Sequence, residues 1–426
     1  MAYVRLAKTV LVLALFSAAL ILPATSKADE VALTAKLQRV VDAYVKDRAS
    51  IEGLSGAALQ VDRGGGRPII SVFAGDDGLP DAKPIGADTL FQIGSNTKEF
   101  TAALILKLEA AGKLKLDDTI GRWLPQYPAW KDVTIRSLLQ MTSPIPNYSE
   151  TVAIGEIQAA DIHHQFSAKD LIGFVDPANG QHFPPASGWF YSNTNYILAG
   201  LIIEAASGMN YEQALTTMIL EPLGLRDTFY ANGPHPGPAA AGPVLARVPR
   251  ALFLLQDCLD YQPEPCRIST LAPLIGKDMR MGNLSWAAEA GAIISNPRDL
   301  GLWIRALFEK RVVPAKQLGE MTTLVSNKTG LPLPEVTADD PVGFGLGLGR
   351  FYRKELGGAY WFYEGETLGF RTIFAYWPQD DVLITGSVNS RPPKGEDKFG
   401  PAVIGGAFMA LQQVGLPDSA SKPATK

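Results

Sequence analysis

From Ala32 to Ser50 the run ALTAKLQRVVDAYVKDRAS places Leu33, Leu37, Val40, Val41, Tyr44 and Val45 on one face at helical spacing, which predicts a helix docked on a core. GAALQVDRGGGRPIISVFAGD follows. Its apolar stretches Ala57 to Val61 and Ile69 to Phe73, joined by three glycines, read as a β-hairpin. The Gly-rich turn lacks the Lys and the following helix of a phosphate loop. After Lys98, EFTAALILKLEAAG reads as a helix that stops at Gly112. From there to about Pro273 the apolar runs IRSLLQM, NYILAGLIIEAASG and YEQALTTMILEPLG are helix-like and are separated by Pro- and Gly-rich loops, so this section reads as mostly α. β-patterning returns in GFGLGLGRFYR, AYWFYEG, FRTIFAYW and DVLITGSVN, and an apolar helix, PAVIGGAFMALQQVG, follows. Strands, then helices, then strands imply an α/β (α+β) fold: a sheet joining both ends of the chain, with a mostly helical region inserted. The expected division is an α/β part over about 30–90 and 285–415, a helical part over about 91–284, and a disordered tail over 416–426.

The N-terminus adds an address. A basic start (Arg5, Lys8), an apolar stretch from Val10 to Leu22, Pro23, and small residues at Ser26 and Ala28 read as a secretory signal peptide, residues 1–28, cut after Ala28. The apolar stretch is short for a membrane-spanning anchor, and no later segment is long and apolar enough to span a bilayer. The expected location is therefore periplasmic or secreted. An oxidising compartment favours pairing of the two cysteines, Cys258 and Cys266. With 39 basic and 43 acidic residues and no basic block, the chain offers no electrostatic footprint for nucleic acid.

Candidate chemistry begins at GSNTKEF, Gly94 to Phe100. Ser95 and Lys98, at i and i+3, share one helical face. A lysine desolvated enough to lose its charge can take the serine proton. The same four residues also suit an ordinary helix start, with Ser95 as N-cap and Lys98 in solvent. Spacing alone does not separate these readings, since about one S-x-x-K arises by chance in a chain of this size. There is no G-x-S-x-G elbow, and only His163, His164, His182 and His235 are available to a histidine-dependent mechanism. The adjacent pair His163 and His164 lacks helical metal spacing and reads as surface, so no metal or cofactor is expected.

The run DTLFQIGSNTKEFTAALILKLEAAGKLKLDDTIGRWLPQYP resembles the nucleophile region of the serine β-lactamase and DD-peptidase superfamily. The likeness is to the branch holding class C β-lactamases, D-alanyl-D-alanine carboxypeptidases and related esterases. It continues in order through TIRSLLQMTSPIPNY, YSNTNYILAGLIIEAASGMNYEQALTTMILEPLGLRDT, WAAEAGAIISNPRDLGLW and VGFGLGLG, from about residue 35 to residue 412. The resemblance implies a β-lactamase/transpeptidase-like fold with an antiparallel sheet flanked by N- and C-terminal helices. It implies Ser95 as the acylated nucleophile, Lys98 as its base, and Tyr191 as a second base and acid through a phenolate stabilised by Lys98. Asn193 would hold the substrate amide, and the N–H groups of Ser95 and Glu366 would form the oxyanion hole. A second Y-x-N, Tyr230 to Asn232, falls after the helices the motif should precede and is assigned to a loop.

The third family motif, Lys-Thr-Gly or His-x-Gly, is altered. A literal Lys328-Thr329-Gly330 precedes VGFGLGLG, whereas position in the family selects Tyr363, Glu364 and Gly365. Gly365 keeps the close approach of strand to substrate, but Tyr363 brings no cation for the carboxylate of a penicillin or a D-Ala-D-Ala peptide. Arg371 is a candidate replacement. Glu364 reads either as a partner for a substrate ammonium or as a solvated strand carboxylate. The expected activity is hydrolysis of a small-molecule or peptide amide or ester, D-alanyl-D-alanine carboxypeptidase or β-lactamase-like, on a peptidoglycan stem peptide or β-lactam. A carboxylesterase or D-aminopeptidase is the alternative. A non-catalytic cell-wall-peptide binder has no need of the full Ser95, Lys98, Tyr191 and Asn193 set.

Overall fold

The computed structural model describes residues 27–179, 188–232, 245–254, 266–393 and 396–414. Helix α1 (Lys27–Glu52) buries Leu33, Leu37, Val41 and Tyr44, with Val40 and Val45 half-buried at the edges of that stripe. The hairpin is β1 (Gly56–Asp62) with β2 (Ile70–Gly75). Two-residue β3 (Phe91–Gln92) leads into the nucleophile turn and α2 (Thr97–Ala110). After the helical region come β4 (Phe229–Tyr230), β5 (Ile293–Ser295), β6 (Leu324–Ser326) and β7 (Pro332–Leu333). The chain then forms β8 (Val342–Phe344), β9 (Gly349–Arg353), β10 (Gly358–Glu366), β11 (Arg371–Trp377) and β12 (Val382–Val388).

Nine strands make one antiparallel sheet in the order β2-β1-β12-β11-β10-β9-β8-β6-β7. The two chain ends meet there, because β1 pairs with β12 from Ala57 opposite Val388 to Asp62 opposite Leu383. One sheet face packs on α1 and the C-terminal helix through Leu37, Val41, Ile373, Trp377, Ile384 and Phe408. The opposite face packs on the helical region. That C-terminal helix starts as a π-helical turn, Gly400–Gly405, before the α-helix Gly406–Gln413.

Several elements depart from the sequence reading. Tyr230 lies on a strand, not in a loop, because β3, β5 and β4 form a separate three-stranded sheet. The helical region is thus not purely α, and β6 and β7 add strands that no sequence periodicity marks. Arg371 is not a substrate cation. It is fully buried, bonds Glu52 Oε2 at 2.5 Å, Tyr44 hydroxyl at 2.9 Å and Ser390, and pairs with Asp397. It therefore ties α1, β11 and the segment after β12 together. Cys266 is disulfide-bonded, whereas Cys258 and the tail 416–426 lie outside the described residues. Among the described residues no helix is long and apolar enough to cross a membrane.

Removing one member of a buried ion pair strands the other charge, at a cost of about 3–5 kcal/mol. Arg371→Met is expected to lower the unfolding free energy by about that amount in urea melts. Arg371→Met combined with Glu52→Gln is expected to recover part of the loss.

Candidate active site

The nucleophile turn is short and is held from three sides. Gly94–Asn96 forms a single 3₁₀ turn ahead of α2, and Gly94 has φ +52°, a conformation that favours glycine. Asn96 is fully buried, and its Nδ2 donates to the carbonyls of Ile93 at 3.0 Å and Thr372 at 2.9 Å, clipping the turn to β11. Thr97 Oγ1 accepts the Ile293 N–H at 3.1 Å and fastens the helix start to β5.

Two glycines let this turn press on the end of β10. A Cβ on Gly365 would lie 1.8 Å from the Ile93 carbonyl oxygen, and one on Gly94 would lie 2.6 Å from both N and O of Glu366. The main chains of Ser95 and Glu366 are thereby neighbours, as an oxyanion hole requires.

Ser95 does not cap the helix. Its Oγ accepts from Lys98 Nζ at 3.1 Å and lies 2.7 Å from the Tyr191 hydroxyl. Lys98 is fully buried, and its other hydrogen bond goes to the Ala290 carbonyl at 2.8 Å. Burial pushes the Lys98 pKa well below the usual lysine range. Among the described residues no carboxylate offsets this. The neighbouring Glu99 is itself buried, its acidity weakened by desolvation, and it accepts from Trp303 Nε1 at 3.1 Å. A neutral amine with a lone pair on Ser95 can act as its base.

Tyr191 departs from the expected phenolate. Burial pushes its pKa up to about 12, only partly offset by its hydrogen bonds with Ser95 and Tyr363. Lys98 Nζ sits over the Tyr191 ring, 4.9 Å from its centroid, and its hydrogen bonds go to Ser95 and Ala290. A neutral hydroxyl beside Ser95 suits proton donation to a leaving group better than proton removal. Asn193 also departs: its Nδ2 donates to Ser149 Oγ at 2.8 Å and its N–H to Asn147 Oδ1, so its amide is turned to the loop before it.

Ser95 opens into a cavity of about 510 Å³. Trp189, Tyr191, Phe344 and Tyr363 form its aromatic wall, with Trp189 edge-on to Phe344 at 5.5 Å and Phe344 5.9 Å from Tyr363. Trp189 Nε1 is buried without a hydrogen-bond partner among the described residues, and the buried Tyr363 hydroxyl faces the Tyr191 hydroxyl. Glu364 and Glu366 line the cavity too, and no Lys or Arg is among its described lining residues. Lys328 lies elsewhere, in the β6–β7 turn, where its Nζ donates to the Asp339 carbonyl. His163 is exposed, and the His164 ring packs on Phe166. Asn96, Trp189 and the Ala290 carbonyl were not found by sequence reasoning. Asn96 alone had a signal, a polar residue between nucleophile and lysine at a position that proves wholly buried.

A family model described as Beta-lactamase matches residues 37–407. The chain belongs to the β-lactamase family. Within it, the chain is 36% identical over 163 residues to penicillin-binding protein 4* of Bacillus subtilis, covering 36% of this chain and 33% of that protein. It is 30% identical to the esterase EstB of Burkholderia gladioli, covering 58% of this chain and 60% of the esterase. The matches therefore span from a third to three-fifths of these relatives. Among solved structures, a D-stereospecific amidohydrolase from Streptomyces superposes with TM-score 0.69 at 28% identity, over 89% of this chain and 99% of that one. A D-amino acid amidase from Ochrobactrum anthropi, at 23% identity and TM-score 0.69 over 90% and 99% of the two chains, shares the β-lactamase-family fold.

Arginine in place of Lys98 keeps the long basic side chain but cannot lose its proton, so Lys98→Arg is expected to lower kcat/KM for hydrolysis by about 10³-fold. In the wild type, activity is expected to fall as pH drops through the depressed Lys98 pKa, because the ammonium has no lone pair. Gly365→Ala is expected to lower kcat by about 10²-fold through misplaced oxyanion donors, with the fold retained by circular dichroism.

Proposed function

We propose that the protein is an exported serine acyl-hydrolase that cleaves esters or amides whose leaving group carries no carboxylate. The observation that carries this reading is the cavity beside Ser95. Its walls are aromatic, its neutral donors are Trp189 and Tyr363, and its acidic members are Glu366 and Glu364, whose pKa burial pushes up to about 8. A carboxylate there would meet Glu366, already paired with Arg391, and no free cation among the described lining residues, a costly arrangement in a desolvated site. The esterase and amidohydrolase relatives point the same way. Penicillins and D-Ala-D-Ala peptides, whose carboxylates need such a cation, are accordingly disfavoured, although the family branch makes them the first expectation.

In the proposed reaction Ser95 Oγ attacks the substrate carbonyl while its proton passes to Lys98 Nζ. The carbonyl oxygen becomes an oxyanion facing the Ser95 and Glu366 N–H groups. As the tetrahedral intermediate collapses, the carbon–heteroatom bond breaks and Tyr191 gives its proton to the leaving oxygen or nitrogen, and the Lys98 ammonium, which sits beside the Tyr191 ring, returns a proton to the phenolate left behind. Water then attacks the acyl-serine by the reverse sequence, and the acid departs.

With the purified protein, a short acyl ester is expected to be turned over in preference to a chromogenic cephalosporin and an acylated D-Ala-D-Ala peptide. Ser95→Ala is expected to remove at least about 10³-fold of that activity. Preferential cleavage of the cephalosporin or the peptide would contradict the substrate reading, and full activity in Ser95→Ala would contradict the nucleophile. Export is proposed from the leader alone, and the N-terminus of protein recovered outside the cytoplasm is expected to be Asp29.

A further inference from the structure

Beyond the edge of β10 lies a second cavity, of about 660 Å³. It occupies the other face of the sheet, between β9, β10 and the C-terminal helix, and it shares Phe351, Phe362 and Glu364 with the cavity that holds Ser95. β9 pairs with β10 only as far as Gly349 opposite Phe362, so residues 363–366 have no β9 partner and the two spaces meet there. Gly349 helps keep the junction open, since a Cβ would lie 2.7 Å from the Phe351 ring.

The junction has a distinct chemistry. Phe351 and Phe362 sit edge to face with ring centroids 4.7 Å apart, and Tyr360 lies 6.0 Å from Phe362. Between the two spaces stands Glu364, whose Oε1 is buried with no hydrogen-bond partner among the described residues. Its acidic neighbours are already engaged: Arg391 Nε lies 3.2 Å from Glu366 Oε2, and Arg371 holds Asp397. An unpaired buried carboxyl is costly unless something completes it.

We propose that this junction is a subsite for an organic ammonium group carried by the leaving group of the substrate, with the apolar substituents of that group continuing into the second cavity. The proposal rests on the reading of Ser95 as the acylated nucleophile. Tyr191 must protonate the leaving atom, so the leaving group lies on the Tyr191 side of Ser95, and the cavity that Tyr191 lines leads to Glu364. Burial, with Glu366 and Asp397 nearby, pushes the Glu364 pKa up to about 8, so an entering ammonium displaces the proton; aromatic faces and the carboxylate so formed are the complement of an alkylammonium. A divalent metal fits less well. Carboxylate oxygens of Glu364, Glu366 and Asp397 do lie within 4.8 Å of one another. Arginines already hold two of the three, however, and calcium needs about six to eight oxygen ligands.

The test compares two esters of one short acid: a choline ester and the 3,3-dimethylbutyl ester, which replaces the quaternary nitrogen with carbon at nearly constant shape. Neither alcohol titrates. Wild type is expected to favour the charged ester in kcat/KM by about tenfold, and Glu364→Gln is expected to bring the ratio close to unity. Phenyltrimethylammonium is expected to compete with the neutral ester. A glutamate that merely supports the fold would, when replaced, alter both esters alike and leave the ratio intact; that result, or equal rates in the wild type, overturns the subsite while leaving the hydrolase reading in place. Failure of both esters, together with failure of a simple aryl acetate, overturns the hydrolase reading itself. Competition by millimolar calcium but not by phenyltrimethylammonium would replace the ammonium with a metal.

Discussion

The site depends on one close contact between backbones, that of the nucleophile turn with the end of β10. It joins the helical region to the sheet at the point where Ser95 sits. Gly94 and Gly365 remove the side chains that would hold the two chains apart, and Asn96 spans the gap with hydrogen bonds to Ile93 and Thr372. Ser95 is consequently fixed relative to Glu366, whose N–H is the partner donor in the proposed oxyanion hole. Preorganised main-chain donors need no particular side chain, so this half of the site survives the change at Tyr363.

The second half is made by exclusion of water. α2 carries Lys98 into the interior, where it meets the Ala290 carbonyl, Ser95 and the faces of Tyr191 and Tyr196, but no ionised partner among the described residues. Desolvation then favours the free amine. The same burial raises the Tyr191 pKa, so two groups within reach of one hydroxyl are pushed toward opposite tasks: the lysine to accept a proton and the tyrosine to give one. This division of labour comes from packing.

The long-period features were legible in the sequence. The stripe of α1, the β1–β2 hairpin, the helix after Lys98 and the returning strands all carry repeats long enough to read, and the order of motifs located Ser95, Lys98, Tyr191 and Gly365. What escaped was either too short or too distant. β3, β4 and β7 are two residues each and show no periodicity. Tyr230 becomes a strand residue only because β5 passes beside it. Arg371 read as a free cation because its partner Glu52 lies far away in sequence, on the N-terminal helix. Asn193 holds the expected position but not the expected direction, because Ser149 and Asn147, on a loop of their own, claim it. The loss of a cation at Tyr363 was plain from the sequence. That its hydroxyl would be buried beside that of Tyr191, with Glu364 next along the same strand, required the fold.

The central claim is that a buried, neutral Lys98 activates Ser95. The most direct measurement is intact-mass kinetics of phosphonylation by an alkyl fluorophosphonate across pH, with the modified peptide identified. The account predicts a single adduct, on Ser95, whose rate of formation is already maximal well below the pH at which an ordinary lysine loses its proton. An adduct on another residue, or a rate that rises only as pH approaches the usual lysine value, would contradict it.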